Sequence, residues 1–324
     1  TKIVTLGEAL VDFIPMEKGV PASRVTGYRK RFGGAPANLA VGLARLGNEA
    51  GFIGKVGQDG FGDFLEKKLN ENNVDTSGLY KSRKIPTTIT FVSLTEEGER
   101  DFIFYRNPGA DELLRPEEIN KEYLDNFDLL HFGSLSLTGR HSFEATKKAL
   151  EYVRERDIAV SMDPNIRLSL WPNKCSATEV IGSAIKKVDL LKLSREEVIF
   201  LTGEDDMEIG TKKIFKCGPE IVAVTLGSDG CYAECGDFQI RIEGVDVPTV
   251  DTTGAGDAFM AGFLHCLLDS SKDLLNLTEN VVKRSLQAGN AAGAITTTDY
   301  GAISSFPNIK EIEELIEKNY REKF

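Results

Sequence analysis

Tryptophan occurs once in these 324 residues, histidine three times and cysteine five times. The cysteines (Cys175, Cys217, Cys231, Cys235, Cys266) are scattered, odd in number and never spaced Cys-x-x-Cys. That pattern argues against a disulfide framework and against a zinc site. His131, His141 and His265 form no His-Glu-x-x-His, and ordinary packing or surface roles are expected of them. There is no Gly-x-x-x-x-Gly-Lys-Ser/Thr, which excludes a P-loop, and no Gly-x-Gly-x-x-Gly after the first strand, which weighs against a dehydrogenase. No apolar run reaches the length of a membrane span. Thr1 to Gly7 lacks the basic start and apolar core of a signal peptide, so a soluble, cytoplasmic protein is expected. Basic residues are also the minority, 39 against 50 acidic ones for a net charge of -11. Such a surface disfavours nucleic acid, whose binding requires neutralised phosphates, but local cations and backbone N–H groups can still hold a small phosphorylated ligand.

What is present is a regular alternation. Ile3–Leu6, Ala50–Val56, Leu129–Phe132, Ile158–Asp163, Leu190–Leu193 and Ile221–Leu226 read as strands apolar on both faces. Between them Pro36–Leu46, Phe61–Asn72, His141–Arg156 and Arg195–Thr202 carry apolar residues three and four apart, as helices do, and Ile309–Tyr320 reads as an amphipathic helix docked on the core. The order predicts an α/β fold, a mostly parallel sheet covered on both sides, in one domain over residues 1–324. Segments of about 10–32 and 87–106 break the rhythm. The second reads as a hairpin, Thr87–Leu94 and Arg100–Tyr105, turning at Glu96-Glu97-Gly98. A small antiparallel sheet of this kind suits a cover over a substrate, or an edge elaboration without that role.

The most informative run is Val250-Asp251-Thr252-Thr253-Gly254-Ala255-Gly256-Asp257-Ala258-Phe259. Glycines let a phosphate approach the backbone, and the first N–H groups of the following helix have no intrahelical acceptor. With the positive end of the helix dipole they make an anion site from Gly254, Ala255 and Gly256. Asp257 in the first turn can act there as general base. An Asp that merely complements the dipole gives the same short pattern; the length of the run and the small residues Ala258, Ala261 and Gly262 favour catalysis. Gly33-Gly34 likewise permits close backbone approach, and Asn38 offers donors and an acceptor suited to vicinal hydroxyls or to capping.

The run Asp251–Asp257 resembles the second signature of the ribokinase-like carbohydrate kinases, the phosphofructokinase-B family, and Gly33-Gly34-Ala35-Pro36-Ala37-Asn38-Leu39-Ala40 resembles the first. The likeness extends from Gly7-Glu8 to Gly301-Ala302 and is nearest to fructokinases, through Gly7–Asp12 and Tyr105-Arg106-Asn107-Pro108-Gly109-Ala110-Asp111. It implies a three-layer sandwich with a β lid and ATP-dependent transfer to a primary sugar hydroxyl, with Asp257 as base. Asp12, Gly33, Gly34, Asn38 and Arg106 are implied at the sugar, and Arg167, in Asp163-Pro164-Asn165-Ile166-Arg167, by both sugar and transferring phosphate. Fructose is the preferred substrate, then 2-keto-3-deoxygluconate, then ribose or a nucleoside; a sugar-binding regulatory module is the reading without catalysis.

For ATP the resemblance implies Thr225, Gly227 and Gly230, together with Asn290 in a late helix. Family members often carry Asn-x-x-Glu; here Ser194-Arg195-Glu196-Glu197 puts Ser194 in the nucleotide position, with Glu197 ordering water on Mg2+. That ion would be held mainly by the ATP phosphates. Asp251, Thr253, Thr296, Gly301 and Ser305 resemble the positions that hold a monovalent cation, K+. Phe91, Phe102 and Phe104 of the lid are expected either to pack lid against lid in a homodimer or to face the core.

Overall fold

The computed structural model describes residues 1–17, 19–94, 100–270 and 277–320. The predicted turn at Glu96-Glu97-Gly98 lies outside them. The strands are β1 (Lys2–Leu6), β2 (Leu10–Pro15), β3 (Tyr28–Gly33), β4 (Glu49–Gly57), β5 (Asp75–Ser82), β6 (Ile89–Leu94), β7 (Arg100–Tyr105), β8 (Leu129–Gly133), β9 (Ala159–Asp163), β10 (Leu190–Ser194), β11 (Ile221–Thr225), β12 (Cys231–Cys235) and β13 (Phe238–Ile242). The helices are α1 (Ala35–Arg45), α2 (Gly60–Glu71), α3 (Lys121–Leu124), α4 (Arg140–Arg154), α5 (Lys174–Ile185), α6 (Arg195–Thr202), α7 (Met207–Phe215), α8 (Ala255–Ser270), α9 (Glu279–Thr296) and α10 (Ile309–Tyr320).

Nine strands form the main sheet in the order β13-β12-β11-β10-β9-β8-β1-β4-β5, parallel from β5 to β11 and antiparallel at β12 and β13. Alternate side chains of each inner strand enter different apolar layers, which is why these strands are apolar throughout. Ile3, Leu129, Leu190 and Ile221 pack with α1, α8 and α9, whereas Val4, Leu130, Leu191 and Val222 pack with α4 to α7. The small residues of α8 act as the sequence suggested: a Cβ on Gly262 would stand 2.6 Å from the Ala288 carbonyl oxygen of α9. The second sheet, β3-β2-β6-β7, is antiparallel within each hairpin and parallel where β2 meets β6. It stands beside the end of the main sheet at which β1 leads into β2.

The weakly patterned strands are the ones the sequence did not reveal. β5 is an edge strand with mixed burial, and the β12–β13 hairpin presents alternate residues of β13 outward.

Candidate active site

Two cavities lie at the carboxyl ends of the parallel strands, where open α/β sheets characteristically bind ligands. The first, of about 300 Å³, sits between the lid and the start of α8; the second, of about 570 Å³, lies between the β11–β12 turn, the chain after β13, and α8 and α9. Both are lined by Thr252 and Gly256, so they meet at the glycine turn.

Gly254 has φ +78, and a Cβ there would lie 2.7 Å from the Ala302 Cβ, so the turn into α8 requires glycine. α8 then begins at Ala255 with Asp257 in its first turn. The Asp257 side chain is half-buried and lines the first cavity. Burial pushes its pKa up to about 7, with Asp163 acting in the same direction; the Asn38 hydrogen bond opposes this most, followed by Lys192 and Arg167. Asn38 Nδ2 donates to Asp257 Oδ2 at 2.8 Å, and its own Oδ1 is buried without a partner. A carboxylate that titrates near neutrality at a helix N-terminus is equipped to take a proton while the N–H groups above it stabilise an anion.

On the lid side, Gly34 (φ +100) precedes α1, and a Cβ there would stand 2.4 Å from the Glu8 carbonyl oxygen. Gly33 does not line the cavity; a Cβ on it would meet Asp12 Oδ2 at 2.2 Å, so its smallness makes room for the Asp12 carboxylate, which does line it. Arg167 lines the same cavity. Its Nη1 donates to the Asn165 and Ile166 carbonyls at 3.4 and 3.2 Å, and its guanidinium lies over the Phe102 ring.

Arg106 departs from expectation. It lines neither cavity: its guanidinium donates to Asp111 at 2.7 Å, Thr138 at 2.6 Å and the Leu135 carbonyl at 3.0 Å. A buried arginine requires such acceptors, and Asp111, five residues on, supplies the charge. The lid aromatics also divide. Phe102 and Phe104 line the first cavity, whereas Phe91 packs on Phe13 and Tyr105, on the face where Ile103 and Tyr105 are exposed.

In the second cavity, Thr225, Gly227, Gly230 and Asn290 converge as expected. Ser194 is absent from its lining. Ser194 instead caps α6, accepting from the Glu197 N–H while Glu197 Oε2 accepts from the Ser194 N–H at 2.8 Å. Glu197 Oε1 accepts from the Ile166 N–H at 2.8 Å. Glu197 also lines neither cavity: a capping box and the loop before Arg167 occupy both its oxygens, which leaves the water-ordering role without a geometric basis. Of the expected monovalent-cation positions, Asp251 accepts from Thr253 (N–H 2.9 Å, Oγ1 2.7 Å) and from the Gly301 N–H at 2.9 Å, and Ser305 donates to the Gly301 carbonyl. The Thr296 hydroxyl points back to the Ala292 carbonyl within α9.

Three ionisable residues in the lining of the first cavity escaped the sequence reading. Lys192 is buried in β10 and donates to Asp163 Oδ2 at 2.8 Å. Burial works against its ammonium, but Asp163, Glu197 and Asp257 outweigh it and hold its pKa above the ordinary lysine value. Glu8 is buried, with Oε1 accepting from the Ala35 N–H at 3.1 Å and Oε2 unpartnered. The signal for Lys192 was a charge inside the apolar run Leu190-Leu191-Lys192-Leu193. Asp163 and Glu8 stood within the quoted motifs without being given a role.

A parallel sheet with an anion turn at a strand-to-helix junction, a half-buried acid beside it and a polar cavity under a β lid defines a phosphotransferase acting on a polar small molecule. The chain belongs to the pfkB family of carbohydrate kinases, whose model matches residues 1–309. It is 40% identical over 317 residues to fructokinase-1 of Zea mays, covering 98% of this chain and 98% of that protein. A double-mutant fructokinase of Vibrio cholerae O395, bound to fructose, ADP and potassium ion, has TM-score 0.87 and 33% identity over 97% of this chain and 98% of that one. The ATP-bound fructokinase of Xylella fastidiosa has TM-score 0.89 and 30% identity, covering 98% of each chain.

Proposed function

We propose that the chain phosphorylates fructose at a primary hydroxyl with ATP. The observation that carries the substrate class is a set of buried acceptors without partners: Glu8 Oε2, Asn38 Oδ1 and Asp163 Oδ1, all on residues lining the first cavity. Buried acceptors cost free energy unless a donor arrives, and the hydroxyls of a neutral sugar are such donors. The carboxyl groups of Glu8, Asp12, Asp163 and Asp257 around them offer no counter-charge to an anionic substrate such as 2-keto-3-deoxygluconate. Arg106, one candidate to pair with a substrate carboxylate, is engaged by Asp111. The fructokinases among the relatives support the same choice.

In this reading Asp257 accepts the sugar proton, the N–H groups of Gly254, Ala255 and Gly256 receive charge from the transferring phosphoryl group, and Arg167 neutralises it from the sugar side. The second cavity takes the nucleotide. Mg2+ would be carried in on the ATP phosphates and would neutralise them there. The Asp251, Thr253, Gly301 and Ser305 cluster, rich in oxygen, suits K+ at the back of the turn. A lid-to-lid homodimer would use the Phe91, Ile103 and Tyr105 face, and sedimentation as a single monomer species would remove it. The function is tested by ADP release with a panel of sugars. Fructose is expected to be turned over best, and fructose at background would overturn the assignment.

A further inference from the structure

Among the described residues, no Lys or Arg lines the nucleotide cavity. Side-chain cations that could meet the charge of the transferring group, beside the backbone N–H groups and Mg2+, therefore come from the first cavity, whose lining holds two, Arg167 and Lys192. Lys192 is the buried one, with its side chain 8% exposed. It reaches the junction itself: a Cβ on Gly256, a residue common to both cavities, would stand 3.0 Å from Lys192 Nζ. An ammonium has three N–H donors, and Asp163 Oδ2 is the hydrogen-bond partner of Lys192 among the described residues. Asp163 thus aims the ammonium at the turn, and two donors are left for a ligand there.

We infer that Lys192 is a second catalytic cation of this kinase, donating to the γ-phosphoryl group as it crosses the turn at Gly256, with Asp163 as its positioning residue. The inference rests on the kinase reading above. As the sugar oxygen bonds to the γ-phosphorus, the bond from that phosphorus to the β,γ-bridging oxygen breaks. The hydroxyl proton passes to Asp257, and the electron pair of the broken bond leaves on ADP. Lys192 exchanges no proton in this step; its fixed charge opposes the negative charge that develops on the phosphoryl oxygens, where a preorganised donor contributes most.

The test compares Lys192→Met, Lys192→Arg and the double variant Lys192→Met/Asp163→Asn, which leaves no buried carboxylate without its cation and so remains informative where the single variant does not fold. On the best sugar of the panel, kcat is expected to fall by roughly 10²–10³ in both Met variants, with Lys192→Arg recovering part of it and MgADP affinity changing little. Aluminium fluoride with the sugar should tighten MgADP binding to the wild type and not to the Met variants, a difference that a purely structural lysine would not produce. A folded double variant with kcat within about threefold of wild type overturns the inference, as does a loss of MgADP and sugar affinity that accounts for the whole defect. A wild type that ignores fructose but turns over another sugar defeats the fructose assignment alone, because the Lys192 comparison is then read on that sugar. A wild type that turns over none defeats both.

Discussion

The two cavities that meet at Gly256 differ in what lines them, and on the proposed reading they recognise sugar and nucleotide by different means. The sugar side is built from charged and amide side chains, several with a buried acceptor still open, and each comes from a different element: Glu8 after β1, Asn38 on α1, Asp163 on β9, Lys192 on β10 and Asp257 on α8. The nucleotide side is mostly glycine, threonine, valine and alanine, with Ser228, Asp246, Phe259 and Asn290 as its other side chains. Side-chain recognition is easily lost by one substitution and confers selectivity among sugars, because an unpaired buried group rejects the wrong hydroxyl pattern. Backbone recognition tolerates substitution but depends on the turns that shape it. Changes on the sugar side should therefore act on kcat and sugar choice, and changes on the nucleotide side on ATP affinity.

The largest break is expected from Asp257→Asn. The amide keeps the shape and can still meet Asn38 but cannot accept the sugar proton. A fall in kcat of roughly 10²–10⁴ is expected, with fructose KM moved far less, in steady-state assays at pH 8. Turnover near wild type would remove Asp257 from the chemistry.

A smaller effect, confined to the other side, is expected at Asn290. Its Nδ2 donates to the Glu243 carbonyl at 2.9 Å and to the Tyr320 hydroxyl at 2.5 Å, and Tyr320 itself donates to the same carbonyl at 3.0 Å. Asn290 therefore ties the chain after β13 and the C-terminal helix α10 to the wall of the cavity. Asn290→Leu should raise the KM for ATP about fivefold, the scale of one lost hydrogen bond, and leave that for fructose unchanged. Equal changes in both would erase the division between the cavities.

Much of this division could be read in the sequence, and the parts that could not have physical causes. Glycine turns and helix starts are local, so the Gly254–Asp257 run and the Thr225–Gly230 turn were picked out from sequence, and both line the cavities. The apolar strands were found because burial on both faces leaves a continuous signal, and α10 was predicted with the observed bounds Ile309–Tyr320. Arg106 was misjudged because its partner, Asp111, is set by how β7 enters the loop, a matter of tertiary packing. Ser194 and Glu197 were assigned to the ligand although Ser-x-x-Glu at a helix start is itself a capping signature. Lys192 and Glu8 were passed over because a buried charge acquires its meaning only from partners distant in the chain, here Asp163 and Ala35.

An effect on stability rather than on turnover separates burial from catalysis on the sugar side. Burial pushes the Glu8 carboxyl from an ordinary value of 4.5 up to about 7. Between those values the folded chain keeps a proton that the unfolded chain has released, so stability falls as pH rises through this window, and the full loss is present above pH 7. Glu8→Gln removes that titration while preserving shape and an acceptor. Relative to wild type, the variant should gain stability at pH 8, on the order of 1–3 kcal/mol, and gain little or nothing at pH 4. Asp257 is shifted in the same direction in both proteins and cancels in the difference. Thermal melts at the two pH values measure it, and a Tm difference independent of pH would mean that Glu8 is charged in the folded chain and that its open oxygen already has a partner.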